Sequence, residues 1–121
     1  MLKLGGIMIG TSKPKSLAAF YEKVFKKPAD WAQDPYYGWQ VGGAFFMIGG
    51  HSEIKGKVKE PQRVIFNFET RQVKREFERI KGLGAKVIKE PYEMQGERIA
   101  TLADPEGNYF QLTTPFDASK M

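Results

Sequence analysis

The same order of strand-like and helix-like segments occurs twice in this chain, and this repeat limits the folds that the chain can adopt. In each copy a short apolar strand precedes an amphipathic helix, and further strands follow. The first copy covers about residues 1–49 and the second about 62–115, at an offset of 57 positions. The repeat predicts two strand–helix–three-strand modules and therefore an α+β fold.

Local signals place the elements of the first module. The Ile-rich segment 2–10 predicts a strand, and apolar residues at helical spacing predict a helix over 14–26, with Thr11 or Ser12 as its candidate cap. Two strand-like runs within 36–48 are joined by Gly-Gly, which predicts a β-hairpin because glycine accepts positive φ. A short strand around residue 31 is expected before the hairpin.

The second module follows a polar, basic segment at about 50–61, which we interpret as a linker. Thr70 is a candidate cap for an amphipathic helix that ends at Gly82 and Gly84. Residues 104–107 (Asp-Pro-Glu-Gly) predict a turn. The strands of this module are predicted at 63–69, 85–88, 98–103 and 108–113.

Length and composition narrow the functional classes. A chain of 121 residues fits a single domain over 1–121, and the absence of cysteine excludes disulfides and thiolate metal sites. The net charge is +5, but lysines and glutamates are interleaved, so we expect no nucleic-acid partner. No segment has the run of about 20 apolar residues of a membrane span, so we expect no membrane association and a cytoplasmic protein.

Three segments carry a resemblance to a known family. Residues 17–25 (LAAFYEKVF), 81–87 (KGLGAKV) and 102–112 (LADPEGNYFQL) resemble motifs of the vicinal oxygen chelate superfamily, which includes glyoxalases, bleomycin-resistance proteins and extradiol dioxygenases. The resemblance implies two βαβββ modules that form a curved, cup-shaped mixed sheet with the helices outside and a ligand inside. It also implies a homodimer.

The resemblance assigns four positions to the metal ligands of metal-dependent members. In this chain they fall on Gly6, on Phe46 or Met47, on Arg63 and on Gln111. Glycine and phenylalanine have no donor, methionine does not suit a hard cation, and arginine is a cation without an acceptor. Only Gln111 could ligate, so we expect neither a metal nor another cofactor.

The remaining cup positions predict a binding site for a small molecule. Along the hairpin, strand alternation places Tyr37 and Trp39 on one face and Tyr36 on the other. Aromatic walls and a few polar groups suit a planar or amphipathic ligand, and the basic charge favours a neutral or anionic one. The predicted ligand-binding residues are Tyr37, Trp39, Phe46, Arg63, Asn67 and Gln111.

Two other functions remain open at this point. One is a glyoxalase-like lyase or isomerase, or a dioxygenase, with a divergent metal site or with acid–base groups among Tyr37, His51, Glu69 and Glu97. The other is a dimeric interaction module whose cup is vestigial. Tight packing of Trp39 in the sheet would favour the interaction module, and bound metal or turnover would favour the enzyme.

Overall fold

The structure of the protein, a computed structural model, describes residues 1–115, and their elements follow the predicted order. The first module contains β1 (Gly6–Thr11), α1 (Pro14–Phe25), β2 (Trp31–Gln33), β3 (Tyr36–Val41) and β4 (Ala44–Gly50). After a 3-10 turn at Pro61–Arg63, the second contains β5 (Ile65–Glu69), α2 (Val73–Gly82), β6 (Lys86–Met94), β7 (Glu97–Ala103) and β8 (Tyr109–Thr113).

Each module builds a four-stranded mixed sheet with the same topology. The first sheet has the order β1-β4-β3-β2 and the second the order β5-β8-β7-β6. In each, the first strand pairs in parallel with the last, and the other pairs are antiparallel. The chain divides into two compact units between Gly56 and Lys57, inside the predicted linker. The predicted α+β fold of two βαβββ modules is confirmed.

Aromatic packing between α1 and one face of its sheet forms the core of the first unit. The ring of Tyr21 lies 4.8 Å from that of Phe46, and the ring of Phe25 lies 5.6 Å from the indole of Trp39. Trp39 is 1% exposed. The helix ends where Lys26 adopts a left-handed conformation (φ 62°), two residues before Pro28.

Apolar residues of α2 cover one face of the second sheet in the same way. Val73, Phe77 and Ile80 are buried along one side of the helix. On β8, buried Phe110 and Leu112 alternate with half-buried residues, which is the period of a strand with one covered face. No helix within residues 1–115 is long and apolar enough to cross a membrane.

The two modules correspond less uniformly than the single offset of 57 predicts. The buried positions Leu17 and Val24 of α1 correspond to Val73 and Ile80 of α2, an offset of 56 residues. The predicted threonine caps precede the helices instead of capping them, since the N-cap residues are Lys13 and Gln72. The Thr11 and Thr70 hydroxyls accept the backbone N–H groups of those N-cap residues at 2.8 and 3.1 Å.

Two predicted strand boundaries also shift, and one hairpin glycine differs from its neighbour. β1 begins at Gly6 and not at Leu2, because its pairing partner β4 reaches only that far. β6 extends to Met94 because β7 pairs with it as far as Met94, with two shifts in register. In the first hairpin only Gly42 needs the left-handed conformation, with φ 58°.

Candidate functional site

The first sheet has one face that its own helix does not cover. Trp39 and Phe46 lie opposite each other in register and both contact α1, so the residues that alternate with them point to the other side. Register then places five large side chains on that uncovered face. We call this set the open aromatic face: Met8, Trp31, Tyr36, Phe45 and Met47.

The side chains of the open aromatic face lie close against the sheet because two glycines leave room for them. A Cβ on Gly38 would be 2.4 Å from two ring atoms of Phe45, and a Cβ on Gly49 would be 3.0 Å from both the Met8 sulfur and the Tyr36 ring. Trp31 stacks on Tyr36 with ring centroids 6.5 Å apart and an interplanar angle of 30°. Both rings remain about two-fifths exposed, at 43% and 39%.

Two of the predicted ligand-binding aromatic residues lie on the opposite face and are inaccessible. Trp39 and Phe46 are 1% and 3% exposed, and the Trp39 indole donates a hydrogen bond of 3.0 Å to the carbonyl of Lys27. The prediction that these two side chains line a pocket is therefore wrong. Strand alternation correctly placed Tyr36 and Trp39 on opposite faces of the sheet. The packing of α1 determines which face stays open, and Tyr36 lies on the open face.

Tyr37 shares the face of Trp39, and it is half-buried beside Ile48. Its hydroxyl donates a hydrogen bond of 3.1 Å to the Asp34 carboxylate. Desolvation, and then the hydrogen bond to Asp34, raise the pKa of the Tyr37 hydroxyl above its usual value. Its proton is thus held more tightly than usual, which does not suit a general base at neutral pH.

The face of the second sheet opposite to Phe110 and Leu112 carries polar side chains in one row. Asn67 of β5, Gln111 of β8 and Thr101 of β7 are direct neighbours in register. The Gln111 side-chain amide donates a hydrogen bond of 3.3 Å to the Thr101 hydroxyl. We call these three residues the amide row. The structure thus brings together two of the predicted ligand-binding residues, Asn67 and Gln111.

Arg63 does not join the amide row. Pro61 begins a 3-10 turn that ends at Arg63, so the strand that was predicted from Arg63 begins only at Ile65. The Arg63 guanidinium pairs with the Glu60 carboxylate at 2.9 Å, and its side chain is 75% exposed. The prediction assumed that strand alternation continued back to Arg63, and the turn interrupts it.

The side chains at the four metal positions of the family do not fit a divalent cation. Gly6 has no donor, Phe46 is in the core, and Arg63 is an ion-paired cation. Gln111 offers a single amide oxygen. Among residues 1–115, no group of three or more His, Cys, Asp or Glu side chains is placed to hold a metal ion.

The polar candidates for acid–base chemistry lie apart along the chain and have structural contacts. His51 is exposed in the turn after β4, where its Nδ1 accepts the backbone N–H of Glu53 at 3.2 Å. The Glu97 carboxylate accepts a hydrogen bond from the Thr114 hydroxyl. No pair of these groups forms a hydrogen-bonded catalytic arrangement within the part of the chain that the structure describes.

Sequence comparison decides the family. The model of the glyoxalase-like domain matches residues 6–113, which include both modules. The chain belongs to the glyoxalase-like domain family. The resemblance to the vicinal oxygen chelate superfamily is therefore confirmed. A search of curated protein sequences found no significant match.

Solved structures of glyoxalase-like proteins share the fold. A glyoxalase/bleomycin resistance protein/dioxygenase family enzyme from Burkholderia phytofirmans is 25% identical, with a TM-score of 0.76 over 95% of this chain and 100% of that one. A glyoxalase-related enzyme from Fulvimarina pelagi is 16% identical, with a TM-score of 0.79 over 98% and 94%. A fosfomycin resistance protein from Listeria monocytogenes is 18% identical, with a TM-score of 0.76 over 100% and 99%.

Proposed function

We propose that this glyoxalase-like protein binds a planar or amphipathic small molecule, neutral or anionic, and does so without a metal. The observation that carries the proposal is the stacked pair of Trp31 and Tyr36 on a sheet face that α1 does not cover. Exposed, stacked aromatic rings present flat apolar surface to water, and a planar ligand would remove that surface from water.

The geometry of the open aromatic face supports a flat ligand more than a bulky one. Phe45 lies over Gly38, and Met8 and Tyr36 approach Gly49 from two sides, so the side chains cover the sheet without standing away from it. Each aromatic contact to a planar ligand is worth about 0.5–1.5 kcal/mol beyond area burial. Two such contacts, about 1–3 kcal/mol together, would account for roughly a fivefold to 150-fold gain in affinity.

We propose separately that Asn67 and Gln111 bind a polar group of a small molecule within the second unit. Because the Gln111 amide nitrogen donates to Thr101, its side-chain oxygen remains as an acceptor for a ligand hydroxyl or N–H. The exposed Asn67 amide next to it offers both donors and an acceptor. Weaker binding of benzamide, a planar and neutral amide probe, to Asn67→Leu and Gln111→Leu, each still folded by circular dichroism, would support this role, and unchanged benzamide affinity would contradict it.

Binding of anilinonaphthalene sulfonate, a planar, anionic and amphipathic probe, tests the proposal on the folded protein. We expect saturable binding at one site, which Trp31→Ala and Tyr36→Ala each weaken about threefold to tenfold. Met94→Ala is the control, because Met94 is also an exposed large apolar residue (52%) and lies on β6 of the second unit. Equal losses in all three variants, or no saturable binding, would refute the open aromatic face as the site.

Metal independence needs a measurement of its own. Protein incubated with Zn, Ni, Mn, Fe(II) or Co and then desalted should retain none of them above trace levels. About one metal per chain would instead favour a glyoxalase-like lyase, isomerase or dioxygenase with a divergent site.

The proposal also includes the homodimer that the resemblance implies. Light scattering at micromolar protein concentration tests it, and a monomeric mass would contradict it.

A further inference from the structure

A shallow cavity of about 370 Å³, wide open to solvent, lies at one end of the first sheet. It is bordered by Thr11 at the end of β1, by Ser12, by Pro14 in the first turn of α1, and, at and after the end of β4, by Gly50, His51, Ser52, Ile54 and Lys55. All of these residues belong to the first unit, and none of them is part of the open aromatic face. The volume lies within the range of small-molecule sites.

Hydrogen bonds hold the segment that borders this cavity against the end of β1. The backbone N–H of His51 donates to the Thr11 carbonyl at 2.9 Å, and that of Ile54 donates to the His51 carbonyl at 3.2 Å. A Cβ on Gly10 would be 3.4 Å from both His51 Cβ and Ile54 Cγ1, so this segment packs against the end of β1 at about van der Waals distance. The turn that carries His51 is thus positioned before any ligand arrives.

The polar side chains around the cavity can all donate hydrogen bonds. His51 Nδ1 accepts the N–H of Glu53, so in the neutral ring the proton is on Nε2, which is then a donor. Ser12 and Ser52 contribute hydroxyl groups and Lys55 an ammonium group. Among residues 1–115, no Asp or Glu side chain lines the cavity, and Glu53, in the same turn, lies outside the lining.

We propose that this cavity binds the oxyanion group, phosphate or carboxylate, of a small molecule. Lys55 supplies the charge, and His51, Ser12 and Ser52 supply hydrogen bonds to the oxygens. A negative charge would have no carboxylate to repel it among the lining side chains. The first turn of α1 adds the positive end of the helix dipole on the same side. The site is separate from the ligand site proposed above, so either can fail without the other.

Titration of the ¹⁵N-labelled protein with inorganic phosphate, phenyl phosphate and benzoate, followed by NMR, tests the inference. We expect saturable shifts at Ser12, His51, Ser52 and Lys55. Lys55→Gln should weaken binding about tenfold, which corresponds to about 1.4 kcal/mol. Lys57→Gln removes the same charge two residues away, outside the cavity lining, and should change the affinity less than twofold.

The three probes distinguish the source of the anion. Binding of phosphate alone indicates a free anion, and tighter binding of phenyl phosphate or benzoate indicates the anionic group of an organic molecule; each supports the site. Equal losses in Lys55→Gln and Lys57→Gln would show nonspecific attraction to a basic loop and would overturn the inference. Absence of saturable shifts with all three probes would overturn it as well.

Discussion

Truncation of Trp39 separates a core role from a ligand-binding role for this residue. The side chain is 1% exposed, its ring lies 5.6 Å from that of Phe25, and its indole N–H donates to the Lys27 carbonyl. Trp39→Ala should therefore lower the free energy of unfolding by about 3–5 kcal/mol, the usual cost of removing a buried tryptophan. Trp39→Phe keeps much of the packing but leaves the carbonyl unpaired, which should cost about 1–3 kcal/mol.

The matched variant is Trp31→Ala, because Trp31 is the only other tryptophan and is 43% exposed. We expect it to cost less than about 1 kcal/mol of stability, as surface substitutions do. Urea unfolding followed by far-UV circular dichroism measures all three variants without using tryptophan emission. The reasoning is refuted if Trp39→Phe unfolds like the wild type while its affinity for anilinonaphthalene sulfonate falls more than that of Trp31→Ala.

Three further predictions concern polar groups. Asp104→Ala should cost about 2–3 kcal/mol in urea unfolding, because a buried carboxylate that accepts two backbone N–H groups and an asparagine amide is lost; a cost below 1 kcal/mol would contradict this. Arg63→Ala should change stability by less than about 0.5 kcal/mol and leave probe affinity unchanged, because its ion pair is exposed. The hydrogen bond from Lys27, and then the Gln40 N–H, lower the pKa of Asp30, so carboxyl NMR should show this pKa rising in Lys27→Met.

The sign of the Asp30 effect follows from the direction of its shift. A carboxyl with a lowered pKa in the folded state stabilises the fold above its unfolded pKa, and this stabilisation is lost as the pH falls through the folded pKa. The contribution of this group therefore disappears in acid. In Lys27→Met, the protonation of Asp30 should therefore contribute less to the loss of stability in acid. An unchanged Asp30 pKa in that variant would contradict the assigned cause.

Local features of the sequence were sufficient for the order of the elements and for the family. The Asp104 turn shows why: its carboxylate binds backbone N–H groups within four residues, so the signal and the structure involve the same short segment. Gly42, with φ 58°, connects the first hairpin for the same kind of reason. The sequence alone also showed that Gly6 and Arg63 do not suit a metal site, because neither side chain can ligate a cation.

Tertiary structure alone decided which side chains face outward. Alternation along β3 separates Tyr36 from Trp39, but it does not say which of the two faces α1 will cover. That depends on contacts of Tyr21 and Phe25 with strands far away in the chain. The turn after Pro61 likewise removed Arg63 from the face that holds Asn67. The sequence determined the pattern of each strand, and the packing of the helix on the sheet determined which side of the first sheet carries the open aromatic face.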